Sequence, residues 1–528
     1  MEFVAAGHVL SKENPVPSAR LPRWVPWTTL LVAAFFRIAW LDIKPAHFDE
    51  GINGWFVDQM TKNGFYEYDP TNYHGPLHFY VEFVSLTIFG RNLWALRMPV
   101  VLVGLLTVWL AWGFRRHFGD RAAAIGAAGL AISPGFVFYQ RYAIHETWLV
   151  LFLMLLAWGV MEMVSFGTRR GLAAVVLGVT GCILTKETYL IHFIGGGLAW
   201  GAYWLWQKAR PVTPEWRKVP QHWSRERLCK YLALAVFALV FFYSGNFFDW
   251  HGVQGIVTTF FTWVHTGVDS AGHMKKEQQI GPFNYYWLWL GWKFEPLMLV
   301  GVAASLATLW RATGPARWLA LYALACLCGY SIIAYKTPWC VISIAWPFYI
   351  LGGIGLDWLL RLRWTIPATL AIVLGASFSV ARTIELNFKR FDDDSLPYVY
   401  VQTYRDVEWV LKPIRSLLRR DPTQYAMNGK IHLDSYYPLP WYLGDLTNVH
   451  FPKPGAYQTN MDCEFLICDA SRVDELTAHL EEAYYRVDFR LRSGQDPCVA
   501  LLNAAVFGPE FGNREPDIQA KETEKVTE

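Results

Sequence analysis

Long apolar segments alternate with short polar segments through the first three quarters of the chain. A membrane-crossing helix needs about 20 apolar residues, and eleven runs approach or exceed that length. The eleven runs cover residues 26–42, 98–114, 121–138, 147–165, 171–186, 188–206, 231–248, 285–310, 318–335, 338–358 and 365–383. A shorter run, 77–89, carries Glu82, so we expect it to lie at the membrane interface. The pattern predicts an all-α polytopic membrane protein with about 11 transmembrane helices.

The positions of basic residues orient these predicted helices, because lysine and arginine favour short cytoplasmic loops. With residues 1–25 as a cytoplasmic tail and eleven crossings, every strongly basic loop falls inside. These loops are 115–116, 169–170, 207–230, 311–317 and 361–363. A crossing by 77–89 would turn every later basic loop outward. We therefore predict an integral protein of the cytoplasmic (inner) membrane.

In this orientation the extracytoplasmic face carries most of the unusual polar residues. The segments predicted there are 43–97, 139–146, the turns at 186 and 336, a loop at 249–284, and everything after about residue 384. The loop 249–284 is poor in apolar residues towards its end, so we expect it to be mobile and able to gate an outer cavity. The chemistry of the protein is therefore expected on the outer face.

The last part of the chain is polar and predicts an extracytoplasmic α/β domain over 384–512. A strand is expected within 430–445, a buried strand within 462–470, and a helix over 471–485 that Ser471 caps. The charged residues 513–528 are expected to form a disordered tail. Three of the eight cysteines (Cys463, Cys468 and Cys498) lie in this region. One pair of them could be oxidised, and the sequence does not select which.

Several function classes lack support in the sequence. It contains no P-loop and no glycine-rich dinucleotide motif, so the use of ATP or NAD is not indicated. The formal net charge is only +3, and the basic clusters are explained by membrane orientation. We therefore expect no nucleic-acid partner.

The segment Pro45–Tyr80 places an acidic pair, Asp49 and Glu50, just beyond the first apolar run. Two adjacent carboxylates can share catalytic work: one accepts a proton from an attacking hydroxyl, and the other orients it or contacts a cation. The alternative is that the pair stabilises the N-terminus of a helix, where negative charge is favourable.

The second outer loop, FYQRYAIHE (138–146), supplies Arg141, His145 and Glu146. Charged residues at membrane depth are costly and usually functional. His145 and Glu146 are therefore candidate accessory catalytic residues, and Arg141 is a candidate substrate-binding residue. Interfacial snorkelling is the alternative, and it suits Arg141 best.

Two short turns bring single lysines to the outer leaflet. TKET (185–188) contains Lys186 and Glu187, and YKTPW (335–339) contains Tyr335 and Lys336. Two converging lysines suit a phosphate headgroup, although anchoring at the membrane edge is the common alternative.

Histidines and carboxylates on the same face leave a metal site open. A divalent metal ion is the candidate cofactor, with Asp49 and Glu146 as its candidate ligands. No spacing matches a tight zinc motif, and ordinary loop histidines are the alternative. No other cofactor is indicated.

Six short motifs carry a resemblance to a known family. HFDEG, YHGPLHFY, YQRYAIHE, TKETYL, YKTPW and YYPLPWYL together resemble the C-type membrane glycosyltransferases, especially the protein O-mannosyltransferase and aminoarabinose-transferase group. More specifically, the chain is similar to a prokaryotic family described as flippase-activity-associated glycosyltransferases. The resemblance covers residues 27–383 and touches the outer domain at 436–443.

The resemblance implies an enzyme that takes a sugar from a polyprenyl-phosphate donor and transfers it with inversion, with Asp49 as the catalytic base. The second acid of the family matches Glu146 only loosely, and the usual His-Pro-Pro turn reads His74-Gly75-Pro76 here. The substrate-binding candidates are Lys336, Lys186, Glu187, Arg141, His74 and Tyr335.

The expected partners are the lipid-linked donor, an acceptor that is a glycan, a lipid or a protein, and membrane lipids. Two other classes stay open: a flippase or transporter of lipid-linked sugar, and a non-catalytic assembly subunit. A transporter predicts paired inverted halves with broken helices at the membrane midplane, and we find no such twofold pattern.

Overall fold

The computed structural model describes residues 20–72, 74–209, 220–268, 285–312, 314–334, 336–362, 364–453, 455 and 460–521. A helical part occupies the first three quarters of the chain, and a small domain with a β-sheet follows it. The helices of the first part are α1 (Val25–Ile38), α2 (Phe48–Asn63), α3 (Leu77–Phe89), α4 (Leu93–Gly113), α5 (Arg115–Phe118), α6 (Asp120–Ile132), α7 (Pro134–Tyr139), α8 (Glu146–Phe166), α9 (Arg169–Ile183), α10 (Tyr189–Ala209), α11 (Arg225–Tyr243), α12 (His251–Val268), α13 (Tyr286–Phe294), α14 (Pro296–Arg311), α15 (Gly314–Ile332), α16 (Val341–Arg361) and α17 (Thr365–Ile384).

Every one of the eleven apolar runs is helical in the structure. Two runs contain a break, because α7 and α14 each begin at a proline. Glu295, at the second break, accepts hydrogen bonds from the Gly135 backbone at 2.6 Å and from the Ser133 hydroxyl at 2.8 Å. The Glu295 side chain, at the break between α13 and α14, therefore helps to cap the N-terminus of α7.

Within the described residues, four helices are long and apolar enough to cross a membrane: Leu93–Phe118, Glu146–Phe166, Pro338–Arg361 and Thr365–Lys389. The apolar helices Val25–Ile38, Leu77–Phe89 and Pro296–Arg311 are shorter. The number of eleven crossings therefore stays a prediction. Part of the expected outer loop 249–284 is the helix α12, which corrects that expectation for residues 251–268, and residues 269–284 lie outside the described residues.

The second part, the C-terminal domain, contains helices α18 (Val407–Arg420), α19 (Leu439–Tyr442), α20 (Val473–Thr477) and α21 (Ala504–Phe507). Its strands are β1 (Asn428–His432), β2 (Asn448–His450), β3 (Phe465–Asp469), β4 (Tyr484–Phe489) and β5 (Cys498–Asn503). The sheet order is β2-β1-β3-β5-β4. The first three strands run parallel to one another, and β5 pairs antiparallel with both β3 and β4. The predicted α/β character and both predicted strands are confirmed.

Two expectations for this domain are corrected. The helix predicted over 471–485 ends at Thr477, because Tyr484 and Tyr485 belong to β4 and bury their side chains in the sheet. The tail is ordered as far as it is described: Ile518 exchanges two backbone hydrogen bonds with Tyr484, at 2.9 and 3.0 Å. Residues 522–528 lie outside the described residues.

The three cysteines of the C-terminal domain are all free. Cys468 packs into the cluster on one face of the sheet, with Leu466 and Leu501. Cys498 packs on the opposite face, with Ala500 and Leu502. Neighbouring strands thus direct these two thiols to opposite faces, so they cannot form a disulfide with each other.

The C-terminal domain contacts the helical part through the YYPLPWYL segment. Pro438 and Trp441 lie directly against α2 at Gly51 and Gly54. A β-carbon at Gly51 would lie 2.5 Å from the Pro438 Cα, and one at Gly54 would lie 2.3 Å from the Trp441 ring. Only glycine permits this approach, so the two glycines make α2 a docking surface for the domain.

Candidate active site

A cavity of about 490 Å³ opens at the predicted outer ends of the helices. Its apolar wall includes Trp263 of α12, Trp287 of α13, and Trp339. Its polar wall contains seven of the ten residues that the sequence singled out. They are Asp49, His74, His145, Glu146, Lys186, Glu187 and Lys336. Tyr335 lies outside the described residues.

Asp49 is the second residue of α2, and His47 is the N-cap of that helix. The His47 Nδ1 accepts a hydrogen bond from the Asp49 backbone at 3.1 Å, and the Nε2 lies 2.9 Å from the Tyr400 carbonyl oxygen. The ring is therefore the tautomer that donates from Nε2. These contacts fix the start of α2 and leave the Asp49 carboxylate about one-third exposed, at the cavity.

Glu50, next in the chain, points the opposite way and is fully buried. Its carboxylate accepts two hydrogen bonds from Arg97, at 2.8 and 2.7 Å, and one each from the His47 and Ala143 backbones, both at 2.8 Å. Burial would raise the pKa of Glu50, but the Arg97 charge and these bonds outweigh it and hold the pKa below its ordinary value. The structure therefore does not bring Glu50 to the cavity: its carboxylate is enclosed in the pair with Arg97. The predicted catalytic or metal-contacting role of Glu50 stays a prediction.

Arg141 is also absent from the cavity. Its Nη1 donates to the carbonyls of Phe36 and Ala39, both at 2.8 Å, and its Nη2 donates to Trp40 at 2.7 Å. These carbonyls end α1, whose last turn has no helical donors of its own. The guanidinium is fully buried and acts as a C-terminal cap, so the structure does not bring Arg141 to a substrate.

The polar wall contains a chain of paired charges. The Lys186 Nζ lies 2.8 Å from Glu146 and 3.9 Å from Glu187. Glu187 in turn lies 3.0 Å from the His74 Nδ1. The backbones join as well, because Gly75 donates to the Thr185 carbonyl at 3.0 Å. The TKET turn and the YHGPLHFY segment therefore form one unit in which each carboxylate already has a cationic or histidine partner.

His145 completes this wall between two other histidine rings. Its ring centroid lies 4.5 Å from that of His74 and 4.4 Å from that of His78. Burial, with the nearby His78, His74 and Lys186, holds the pKa of His145 well below its ordinary value. His145 is therefore a neutral ring. Its Nε2 is buried and has no hydrogen-bond partner within the described residues, and the residue lines the cavity.

Lys336 reaches the cavity from the turn between α15 and α16. Its Nζ donates to the Ile333 carbonyl at 2.6 Å, and its residue is almost fully buried. Burial lowers the pKa of this amine to about 8. A buried amine at the cavity is a suitable partner for an anionic group.

A metal ion does not fit the two ligands that the sequence suggested. The Glu146 carboxylate is held by Lys186, a cation that competes directly with a metal. Within the described ranges, no group of three or more histidine, cysteine, aspartate and glutamate side chains is arranged to hold a metal ion.

The sequence did not single out some polar residues that surround the site. The His78 Nε2 lies 2.9 Å from Glu82 one turn along α3, while its Nδ1 accepts from the Trp148 indole at 3.0 Å. The i, i+4 spacing of His78 and Glu82 was a signal for this pair. Arg97, the partner of Glu50, gave no comparable signal, because it lies 47 positions further along the chain.

Comparison with known proteins agrees with this architecture. The family model described as dolichyl-phosphate-mannose-protein mannosyltransferase matches residues 73–243. No curated protein sequence matches the chain. The chain is similar to the crystal structure of ArnT from Cupriavidus metallidurans bound to undecaprenyl phosphate, with a TM-score of 0.62 and 18% identity over 92% of this chain and 98% of that one. The apo state of the same ArnT gives a TM-score of 0.57 and 17% identity over 90% and 97%.

The fold is like that of the C-type membrane glycosyltransferases, with a small C-terminal sheet domain. The resemblance to the C-type membrane glycosyltransferases that the sequence motifs predicted is thereby confirmed. The similarity to the flippase-activity-associated family stays a prediction.

Proposed function

We propose that this protein is an inverting glycosyltransferase that moves a sugar from a polyprenyl-phosphate donor to an acceptor hydroxyl at the outer membrane face. The match to a mannosyltransferase family model and the ArnT-like fold support a lipid-linked donor. The ArnT structure with undecaprenyl phosphate makes that class of lipid the first donor to test. The acceptor is a glycan, a lipid or a protein.

One observation carries this proposal: Asp49 is the cavity carboxylate that is left available for proton transfer. Glu146 and Glu187 are paired with Lys186 and His74, and Glu50 is buried against Arg97. Asp49 retains a one-third exposed side chain at the same cavity. A general base needs an accessible carboxylate within reach of the acceptor hydroxyl.

The reaction that this arrangement supports is a single displacement. The acceptor oxygen attacks the anomeric carbon of the sugar and forms the new glycosidic bond, while its proton passes to Asp49. The bond between that carbon and the phosphate oxygen breaks on the opposite side, which inverts the configuration. The departing lipid phosphate keeps the electron pair, and the Lys336 ammonium stabilises its charge. Asp49 then releases the proton to solvent.

The cavity suits such a donor in two further ways. The tryptophans of its apolar wall offer flat surfaces against which a sugar ring packs. Its polar wall supplies neutral His145 and paired Lys186 next to the reacting groups. A donor that enters from the lipid places its phosphate at this interface. The extracytoplasmic position of the cavity and of the C-terminal domain is part of the same proposal.

The test is a reconstitution that separates the three function classes. Purified protein in liposomes receives polyprenyl-phosphate sugars labelled in the sugar, with an acceptor extract outside. A transferase releases free polyprenyl phosphate and labels the acceptor. Movement of intact donor between leaflets without cleavage would identify a flippase, and donor binding without either event would identify an assembly subunit; both outcomes overturn the proposal.

A further inference from the structure

The C-terminal domain brings a buried cation, Arg492, to the first turn of α2. Its guanidinium lies over the ring of Phe48, with 4.3 Å between the guanidinium carbon and the ring centroid. Phe48 is the residue that precedes Asp49. Arg492 is only 3% exposed, although it belongs to a polar domain at the surface of the helical part.

Side chains of the C-terminal domain hold this guanidinium in place. The Nη2 donates to the Ser435 hydroxyl at 2.5 Å and to the Gln495 side-chain oxygen at 3.2 Å. Ser435 follows β1, and Arg492 follows β4. The Nε is buried and, within the described residues, has no hydrogen-bond partner. Because its anchors belong to the C-terminal domain, the position of Arg492 relative to α2 depends on how that domain docks.

Asp49 differs from the buried carboxylates of the site in its charged neighbours. Three buried carboxylates at the site each have a close partner: Arg97 for Glu50, Lys186 for Glu146, and His74 for Glu187. Among the described residues, no lysine or arginine lies within 4.0 Å of the Asp49 carboxylate, and the nearby His47 Nδ1 accepts a hydrogen bond and carries no proton.

Arg492 and Asp49 nevertheless act on each other electrostatically. Burial lowers the pKa of Arg492 to about 10, and the negative charge of Asp49 opposes that lowering. Because Arg492 is buried, this interaction is screened less than one between two fully exposed charges.

We propose that Arg492 is a positioning residue for Asp49: the docked C-terminal domain supplies the positive charge that stabilises and orients the Asp49 carboxylate at the cavity. The C-terminal domain then contributes to the active site. This inference rests on the proposed function, because it assigns Arg492 to the step in which Asp49 acts as base.

The role predicts a particular kinetic signature. Arg492 does not line the cavity where the donor is expected, so its loss should leave the donor KM nearly unchanged. The loss should reduce kcat, because a base without its counter-charge is less well oriented in the transition state. A lysine at this position retains the charge and should restore most of the rate.

The experiment compares Arg492→Gln, Arg492→Lys and Arg490→Gln in the full-length protein, with kcat, donor KM and thermal stability measured for each. Arg490 is a matched control, since it lies two positions earlier, is exposed, and pairs with Asp406 at 3.0 Å. We expect Arg492→Gln to lower kcat about tenfold with a donor KM within about twofold of wild type. We expect Arg492→Lys to recover kcat to within about threefold, and Arg490→Gln to match wild type.

Two results would overturn the inference while the proposed function stands. One is a kcat for Arg492→Gln equal to that of Arg490→Gln. The other is an equal loss in Arg492→Lys and Arg492→Gln with a matching loss of thermal stability, which would identify a packing role alone. Absence of sugar transfer by the wild-type protein would instead reject the proposed function on which the inference depends.

Discussion

Glu50 and Arg97 form a two-point ion pair in which neither side chain has exposed surface. Asp49, the residue before Glu50, lies at the cavity with about one-third of its side chain exposed. Adjacent carboxylates at the start of one helix thus face different environments. The helix supplies the reason, because consecutive residues are rotated by about 100° around its axis. We infer that one acid supports the fold and the other supports the chemistry.

This division predicts unequal effects of two neighbouring substitutions on stability. Glu50→Gln removes the charge that balances buried Arg97, and an unbalanced buried charge costs about 3–5 kcal/mol. Asp49→Asn removes a partly exposed charge and should change stability by less than about 1 kcal/mol. Thermal unfolding in one detergent measures both variants. Equal unfolding temperatures for Glu50→Gln and wild type would contradict the structural role of Glu50.

Lys336 predicts a pH dependence of donor binding. Burial lowers its pKa to about 8, so the amine is charged below that pH and becomes neutral as the pH rises through it. Affinity for the lipid phosphate should therefore weaken between about pH 7 and 9, because the cation that holds the phosphate is lost. Equilibrium binding of polyprenyl phosphate across this range provides the measurement.

Lys336→Arg is the control for that titration, since arginine keeps its charge at every pH of the series. The variant should bind the phosphate without the alkaline decline. The rest of the cavity wall is unchanged in this variant. An alkaline decline that persists in Lys336→Arg would show that Lys336 is not the group responsible.

Gly54 predicts a steric test of domain docking. An alanine there places its β-carbon 2.3 Å from the Trp441 ring, so either the ring or the C-terminal domain has to move. Overpacking of this kind costs about 1–3 kcal/mol. Gly54→Ala should increase hydrogen exchange in residues 436–443 and lower transfer. Gly201→Ala is the control, because nothing lies within 4 Å of the β-carbon at that helical position.

A second substitution distinguishes the Trp441 contact from a general effect on α2. Trp441→Leu removes the ring that the added methyl group meets, so Gly54→Ala combined with Trp441→Leu should be less damaging than the two single effects added together. Additive losses would indicate that Gly54 and Trp441 do not act on each other.

The pattern of apolar and polar residues predicts much of the helical part, because apolar runs and the motifs beside them are local features of the sequence. The eleven apolar runs are all helical, whereas α2 and α12 lie in segments predicted as outer loops. The motif residues His74, Glu146, Lys186 and Lys336 line one cavity. Each of those residues lies at the end of a predicted helix or in a turn beside one. Positions at helix ends on the same side of a membrane lie at one face of the protein, where packing can bring them together.

The residues whose positions the local pattern does not predict depend on partners that are remote in sequence. Arg141 is a predicted substrate ligand, but its guanidinium caps α1 through carbonyls 101 to 105 positions earlier. Arg492 gave no signal, because its place beside Phe48 exists only after the C-terminal domain docks. The helix expected over 471–485 failed for a similar reason, since pairing with β5 draws Tyr484 into the sheet. Tertiary contacts determine where these residues lie, and local sequence patterns do not predict such contacts.

The most direct test of the central claim is sugar transfer by purified wild-type, Asp49→Asn and Glu67→Gln proteins, supplied with labelled polyprenyl-phosphate sugar and a mixed acceptor extract. Glu67 is an exposed carboxylate in the same segment of the chain. We predict transfer by the wild type and by Glu67→Gln, and a loss of at least about a hundredfold in Asp49→Asn with donor binding retained, as expected for removal of a general base. Equal transfer by Asp49→Asn and wild type would contradict the assignment of Asp49 as the base.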